Sequence, residues 1–434
     1  MKNILLSDSS FEQFVNTTKA FNEYQAKNIP LCAAENVMSP FAKMALLSSA
    51  QEKYVMGGVK KYLEDDNFVG GEFVYPYYQI INKQCQHLFG SSYADARTLT
   101  GMNSITTLLM SLLKPGDTIA ISVPDCGGHA SIPDICHRLG LKFVELPYNY
   151  LLMDFDYDKI NDLIKKTEIH AILLCISDLV NNPKLDKIDQ NKKIPIIYDA
   201  TQVLGLIAGG TVVNPFSCFD KNYPFILMGA THKTIPGPSC GLILTQNMEL
   251  AEYIEEKINP MYIRNTQMHQ KMSLILTLLE LQYFGKEYSD KTVYNAQRLS
   301  QMLQTRGLSL LNAANGYTNT HQLHFTCTPQ EMNDFYDNCV YCNVTLNFKT
   351  KKSFNYSGIR IGTQEISRYN WSEKELFMLS NLLEILFYHP HIYNQPKELK
   401  KANEIIHILS EKKNIHYTFA KDETFNTLET LFKD

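Results

Sequence analysis

No run of 18 uncharged apolar residues occurs in this 434-residue chain, so no helical membrane span is expected. The opening residues, Met-Lys-Asn-Ile-Leu-Leu-Ser-Asp, hold too short an apolar stretch for a signal peptide. Basic charge is not in surplus: 41 Lys and Arg stand against 45 Asp and Glu, a net charge of −4. That excludes the global positive field on which nucleic-acid binding depends. There is no internal repeat and no low-complexity linker. The ten cysteines are scattered, which suits reduced thiols in a cytoplasmic protein. Only Cys339-Val-Tyr-Cys342 has the spacing of a metal or redox pair. Without a second pair, no metal site is expected.

What is present is enough chain for a large core and two domains. Residues 1–30 have helical periodicity, with Phe11, Phe14, Val15 and Phe21 apolar, and read as an N-terminal arm. From about Ala94 to Thr245, short apolar runs alternate with helical patterns. Thr118–Ser122, His170–Ser177, Ile194–Tyr198, Pro224–Met228 and Gly241–Thr245 read as strands buried on both faces. This predicts an α/β domain over 31–284 with a mostly parallel sheet. Leu250 to Phe284 is strongly helical. A smaller α+β domain is expected over 285–390, with Gln322–Thr326 as a strand. A helical tail is expected over 391–434.

Chemistry enters with Lys233. An apolar strand runs up to Met228, and Gly229-Ala-Thr231-His232-Lys233 follows it before the next strand begins at Cys240. A half-buried lysine at a strand end is costly unless its charge is used or neutralised. Desolvation lowers the pKa of such an amine and equips it to form a Schiff base, most often with pyridoxal 5′-phosphate (PLP). The alternative is an ordinary solvated lysine in a Pro-Gly loop. Asp199 ends an earlier apolar strand, Ile194–Tyr198. A carboxylate there can hold the pyridinium nitrogen of PLP, or it can cap the following turn. The order favours PLP, since Asp199 and Lys233 end successive core strands about 30 residues apart, as in enzymes of the aspartate aminotransferase-like fold.

Several short segments, taken in order, resemble serine hydroxymethyltransferase from about Ile29 to Leu386. They are Leu31-Cys-Ala-Ala-Glu35-Asn36, Glu52-Lys-Tyr54, Val69-Gly-Gly71, Gly127-Gly-His129, Asp199, Thr231-His-Lys233 and Gly358-Ile-Arg360-Ile-Gly-Thr363. The resemblance implies the PLP-dependent transferase fold and a set of roles. Lys233 holds the cofactor. Thr100, Gly101 and Met102 cradle its phosphate at a helix start, where exposed N–H groups favour an anion; plain capping by Thr100 is the competing reading. His129 stacks on the ring or is merely a turn histidine. Ser177, Gln202, Thr231 and His232 complete the cofactor's surroundings. Arg360 grips the amino-acid carboxylate through a planar two-bond pair, or else pairs with a nearby acid. Glu35 and Tyr54 lie at the substrate. Tyr54 reaches a neighbouring subunit's site, which implies a homodimer or a dimer of dimers.

The chain also departs from the family pattern. Met56 stands where the family has its proton-transferring glutamate, and a thioether moves no proton. Phe68 and Val69 replace two tyrosines. The loop from Gly57 to Asn67 is longer and carries Glu64, Asp65 and Asp66. Gln202 replaces a histidine, and Ile258 to Asn265 replaces a glycine-rich loop. The PLP machinery is kept and the folate machinery is not. The expected activity is folate-independent aldol or retro-aldol chemistry on glycine or β-hydroxy amino acids, of the threonine aldolase or transaldolase type, with His129 or a loop carboxylate as base. The alternatives are folate-dependent glycine/serine hydroxymethyl transfer, a PLP-dependent racemase, aminotransferase or decarboxylase, and a PLP-binding protein without turnover.

Overall fold

The computed structural model describes residues 9–54 and 69–432. Seven strands form the central sheet: β1 (Tyr93–Asp95), β2 (Thr118–Ile121), β3 (Lys142–Glu145), β4 (Ala171–Cys175), β5 (Ile196–Asp199), β6 (Phe225–Ala230) and β7 (Gly241–Thr245). Their order is β1-β7-β6-β5-β4-β2-β3. β3, β2, β4, β5 and β6 run parallel. β7 is antiparallel to both β6 and β1. The near-continuous apolar runs exist because both faces are covered. Ile172, Leu174, Ile196 and Tyr198 face one core, and Ile119, Leu173, Ile197 and Ile226 face the other.

A second, antiparallel sheet has the order β8-β9-β11-β10, from Ser309–Leu310 (β8), Gln322–Thr326 (β9), Asn347–Lys349 (β10) and Gly358–Gly362 (β11). Its own core is built around Leu323, Phe325, Phe335, Ile359 and Ile361.

Helix α1 (Ser9–Lys27) is the N-terminal arm, and it buries none of its residues. Helix α2 (Gly101–Leu112) follows β1. The helical stretch expected from Leu250 is interrupted: a helix over Met248–Lys257 is followed by a wide turn at Ile258–Tyr262, where Pro260 has no backbone donor. Helix α3 (Met268–Thr305) then runs for 38 residues, straight through position 284. It places Leu274, Leu278, Leu281 and Tyr288 in the core of the first sheet and Leu299 and Leu303 in that of the second. An apolar stripe on one helix carries no mark of which sheet each turn will meet, so the sequence alone did not reveal this sharing.

After α4 (Glu373–Tyr388), the tail forms α5 (Pro396–Ser410) and α6 (Glu423–Thr430). It packs back on the body. Trp371 Nε1 donates to the Lys412 carbonyl at 2.8 Å, and Arg368 Nη1 donates to the Tyr417 carbonyl at 2.6 Å. Phe419 meets Phe41 and Phe284. Among the described residues, no helix is long and apolar enough to cross a membrane.

Candidate active site

The carboxyl ends of β2, β4, β5 and β6 converge, the usual place for a ligand in an open α/β sheet. Asp199 ends β5. Its Oδ1 accepts from the Thr201 N–H at 3.0 Å and from the Thr201 hydroxyl. Its Oδ2 takes only the Cys175 thiol, at 3.1 Å, a weak donor that leaves the oxygen able to accept a stronger one.

Lys233 follows β6. Asn36 donates to its carbonyl and also to the Tyr288 hydroxyl, at 2.9 Å. Asn36 thus ties the early Glu35-Asn36 segment to the lysine. Lys233 Nζ makes no hydrogen bond among the described residues. Burial, then the Arg360 charge, pull its amine below the ordinary lysine pKa, against the opposing pull of Asp199. Such an amine sheds its proton more readily than a surface lysine and can act as a nucleophile.

His129 is set by the turn before it. A Cβ on Gly128 would lie 2.1 Å from the Ser122 carbonyl oxygen, so only glycine lets this turn pass the end of β2. The His129 N–H donates to the Cys175 carbonyl at 3.0 Å. Its ring Nδ1 accepts from the Ser131 N–H at 3.2 Å, which leaves Nε2 carrying the proton in the neutral ring. Burial and the charges of Lys233, Lys351 and Lys349 outweigh Asp199 and lower its pKa. The ring is therefore neutral, suited to stacking and to donating from Nε2. In this tautomer it is not a base at Nε2. Gly128→Ala should lower stability by about 1–3 kcal/mol or more and disturb His129; a variant with wild-type thermal unfolding would contradict this packing.

Helix α2 starts at Gly101, and Thr100 caps it by accepting the Asn103 N–H at 3.1 Å. Capping and phosphate binding are compatible here, because the N–H groups of Gly101 and Met102 have no acceptor among the described residues. A Cβ on Gly101 would sit 3.0 Å from the Ala230 Cβ; glycine brings the helix start against the end of β6. Among the described residues, buried His232 Nδ1 has no hydrogen-bond partner. Thr231 is placed otherwise than a cofactor ligand would be: its hydroxyl donates to the Pro238 carbonyl at 2.6 Å and its N–H to the Cys240 carbonyl. Both of its donors close the loop that carries Lys233.

Ser177 acts in this structure through its carbonyl, which accepts from Arg360 Nη1 at 2.9 Å and from Gln322 Nε2 at 3.0 Å. Gln322 also donates to buried Gln202 at 2.9 Å. Arg360 lies on β11 opposite Asn347 of β10. Its Nη1 reaches Asp178 Oδ1 at 2.9 Å, and its Nη2 reaches Asn347 Oδ1 at 2.7 Å. Arg360 thus has the nearby acid as a partner, in Asp178. Asp178, Asn347, Lys349 and Lys351 gave no separate signal in the sequence; the alternation Asn347, Lys349, Lys351 beside the arginine strand is the sign that could have found them. Glu35 and Tyr54 are exposed. Met56, Glu64, Asp65, Asp66 and Phe68 lie outside the described residues. Val69 is fully exposed. Cys339 and Cys342 are both buried in the core of the second sheet, and burial pushes the Cys342 thiol up to about 11.

This donor set fits PLP. Asp199 Oδ2 can take a ring N–H. The two bare N–H groups at the α2 start and the unpartnered His232 Nδ1 suit a phosphate. The Lys233 amine is desolvated and makes no hydrogen bond among the described residues, and His129 offers a neutral ring.

Comparisons agree. The family model described as serine hydroxymethyltransferase matches residues 7–383. The chain is 28% identical to a serine hydroxymethyltransferase of Methanosphaera stadtmanae over 94% of its length and 96% of the relative's. It is 29% identical to one of Methanopyrus kandleri, over 85% and 87%. Its fold matches an L-threonine transaldolase structure from Pseudomonas fluorescens with TM-score 0.88 at 22% identity, covering 99% of this chain and 98% of that one. The fold is thus that of PLP-dependent transferases of fold type I, and the chain belongs to the serine hydroxymethyltransferase family of PLP-dependent enzymes.

Proposed function

We propose that the enzyme makes or breaks the Cα–Cβ bond of a β-hydroxy amino acid without tetrahydrofolate, in the manner of a threonine aldolase or transaldolase. The observation that carries this reading is a division within the chain. Lys233, Asp199, His129 and Arg360 surround one site, while positions 56, 68 and 69 hold Met, Phe and Val. Apolar groups would leave a pterin's donors and acceptors unpaired, at about 1–3 kcal/mol each.

Bound PLP would supply an electron-withdrawing ring that takes up negative charge developing at Cα. Arg360 would hold the α-carboxylate and so fix the orientation of the substrate about Cα. His129 would pack its neutral ring against the cofactor and exclude water there. Asp199 would hold a proton on the cofactor's ring nitrogen. In cleavage the β-hydroxyl loses its proton, the Cα–Cβ electron pair moves to Cα, an aldehyde departs, and Cα takes up a proton. Lys233 Nζ, with its lowered pKa, is suited to carry a proton at Cα. With Nε2 of His129 protonated, the β-hydroxyl proton passes to a carboxylate. Glu35, next to the asparagine that holds the Lys233 carbonyl, and Glu64 are the candidates.

We further propose a cytoplasmic homodimer or dimer of dimers acting on a small amino acid. Support comes from α1, which shows Phe14 and Phe21 to solvent in the single chain, and from Tyr54, which is also exposed there. The test is aldehyde release from threonine, serine and other β-hydroxy amino acids, with and without tetrahydrofolate. Folate-independent cleavage is expected. Serine formed from glycine and methylene-tetrahydrofolate at a comparable rate would replace this reading with hydroxymethyl transfer.

A further inference from the structure

Asp178 is enclosed by more positive charge than it can neutralise. Its side chain is fully buried. Lys349 Nζ lies 2.8 Å from Oδ1, Lys351 Nζ 2.8 Å from Oδ2, and Arg360 Nη1 2.9 Å from Oδ1. Burial would raise the carboxyl's pKa, but the three cations hold it well below the usual range, so it stays ionised. Among the described residues, three positive charges stand against the one negative charge of Asp178, a surplus of two.

The donors are not exhausted either. An ammonium has three N–H groups and a guanidinium five. Lys349 gives one to Asp178. Lys351 gives one to Asp178 and one to the Gly128 carbonyl. Arg360 gives two from Nη1, one from Nε and one from Nη2. Among the described residues, two, one and one N–H groups are left without an acceptor. Lys349 and Lys351 are mostly but not fully enclosed, with side chains 15% and 19% exposed, so a ligand can still reach them. Burial lowers the Lys349 pKa, a cost that an arriving anion would relieve. The register explains the grouping. Asn347 and Lys349 are two residues apart on β10 and share a face, and Arg360 pairs opposite Asn347.

One α-carboxylate on Arg360 removes one of the two surplus charges. We propose that Lys349 and Lys351 form a second anion subsite, so that the aldehyde released or taken up carries a carboxylate or a phosphate. This rests on the aldol reading above and gives it a substrate class. Lys351, bonded to the carbonyl just before His129, places the subsite between the carboxylate clamp and the ring cover.

The test compares matched aldehydes with glycine on the holoenzyme: acetaldehyde against glyoxylate for the carboxylate, and glycolaldehyde against glycolaldehyde phosphate for the phosphate. One anionic member is expected to exceed its neutral partner at least tenfold in kcat/KM, and which one does so identifies the anion. In Lys349→Gln and Lys351→Gln that ratio should fall towards one, while Lys349→Arg should keep it. Equal use of neutral and anionic aldehydes by the wild type would overturn the subsite. So would glutamine variants that slow both members equally, since the lysines would then serve only to hold Asp178. If no aldehyde reacts, the aldol reading fails, and titration calorimetry decides the subsite separately. Succinate or inorganic phosphate binding to the glycine-loaded holoenzyme, weakened by Lys349→Gln, would uphold it; no binding would overturn it.

Discussion

Lys233→Ala protein is expected to be colourless and inactive, with turnover reduced by about 10³-fold or more. Two losses combine. The covalent anchor for the cofactor goes, and so does a proton carrier whose contribution is roughly 10²–10⁴-fold. The structure gives Lys233 the traits this role needs: a place just after β6, an Nζ without a hydrogen bond among the described residues, and an amine pKa lowered first by burial. Removing the side chain should leave the loop itself in place. Thr231 and Cys240 hold that loop through their own backbone and hydroxyl groups, and Asn36 bonds the carbonyl of residue 233 rather than its side chain. A normal far-ultraviolet spectrum and a thermal midpoint close to wild type should therefore accompany the lost activity. The direct measurement is borohydride treatment followed by peptide mass analysis. Wild-type protein should carry the reduced cofactor on the peptide containing Lys233. A Lys233→Ala protein that still bound PLP covalently at another lysine, with turnover intact, would remove Lys233 from the mechanism.

Arg360→Ala should reduce kcat/KM by more than about 30-fold, since losing a charge-assisted pair to the substrate carboxylate costs roughly 2–5 kcal/mol. Cofactor affinity should change little, because Arg360 bonds Ser177, Asp178 and Asn347 and lies outside the donor set assigned to the cofactor. The folded state should survive, because Asp178 keeps two lysine partners. Arg360→Lys should rescue little. An ammonium cannot serve Asp178, Asn347 and a substrate carboxylate from one planar fork. Near-normal turnover of an amino acid by the alanine variant would place the carboxylate site elsewhere.

Much of this arrangement was legible in the chain. The strands are short apolar runs with sharp ends, and burial on both faces leaves a parallel sheet as the consistent reading. Asp199 and Lys233 close two adjacent parallel strands, so their spacing in sequence became nearness in space. Gly127-Gly-His129 announced a close turn, and the Gly128 contact with Ser122 gives the cause.

Sequence by itself determined five of the seven strands of the first sheet, the places of Asp199 and Lys233 after two of them, the family, and the apolar residues at positions 56, 68 and 69. Those are local properties: apolar period, residue type and spacing along one chain. Tertiary structure alone decided that Thr231 turns its hydroxyl into its own loop, that Asp178 shares the Arg360 guanidinium, and that Lys349 and Lys351 crowd the same carboxylate. It also decided that one 38-residue helix serves two cores. Each of these depends on a partner more than 100 residues away or on the direction a side chain takes across a loop. Neither is encoded in local pattern, because the same arginine, lysine or threonine is equally compatible with water until packing removes it.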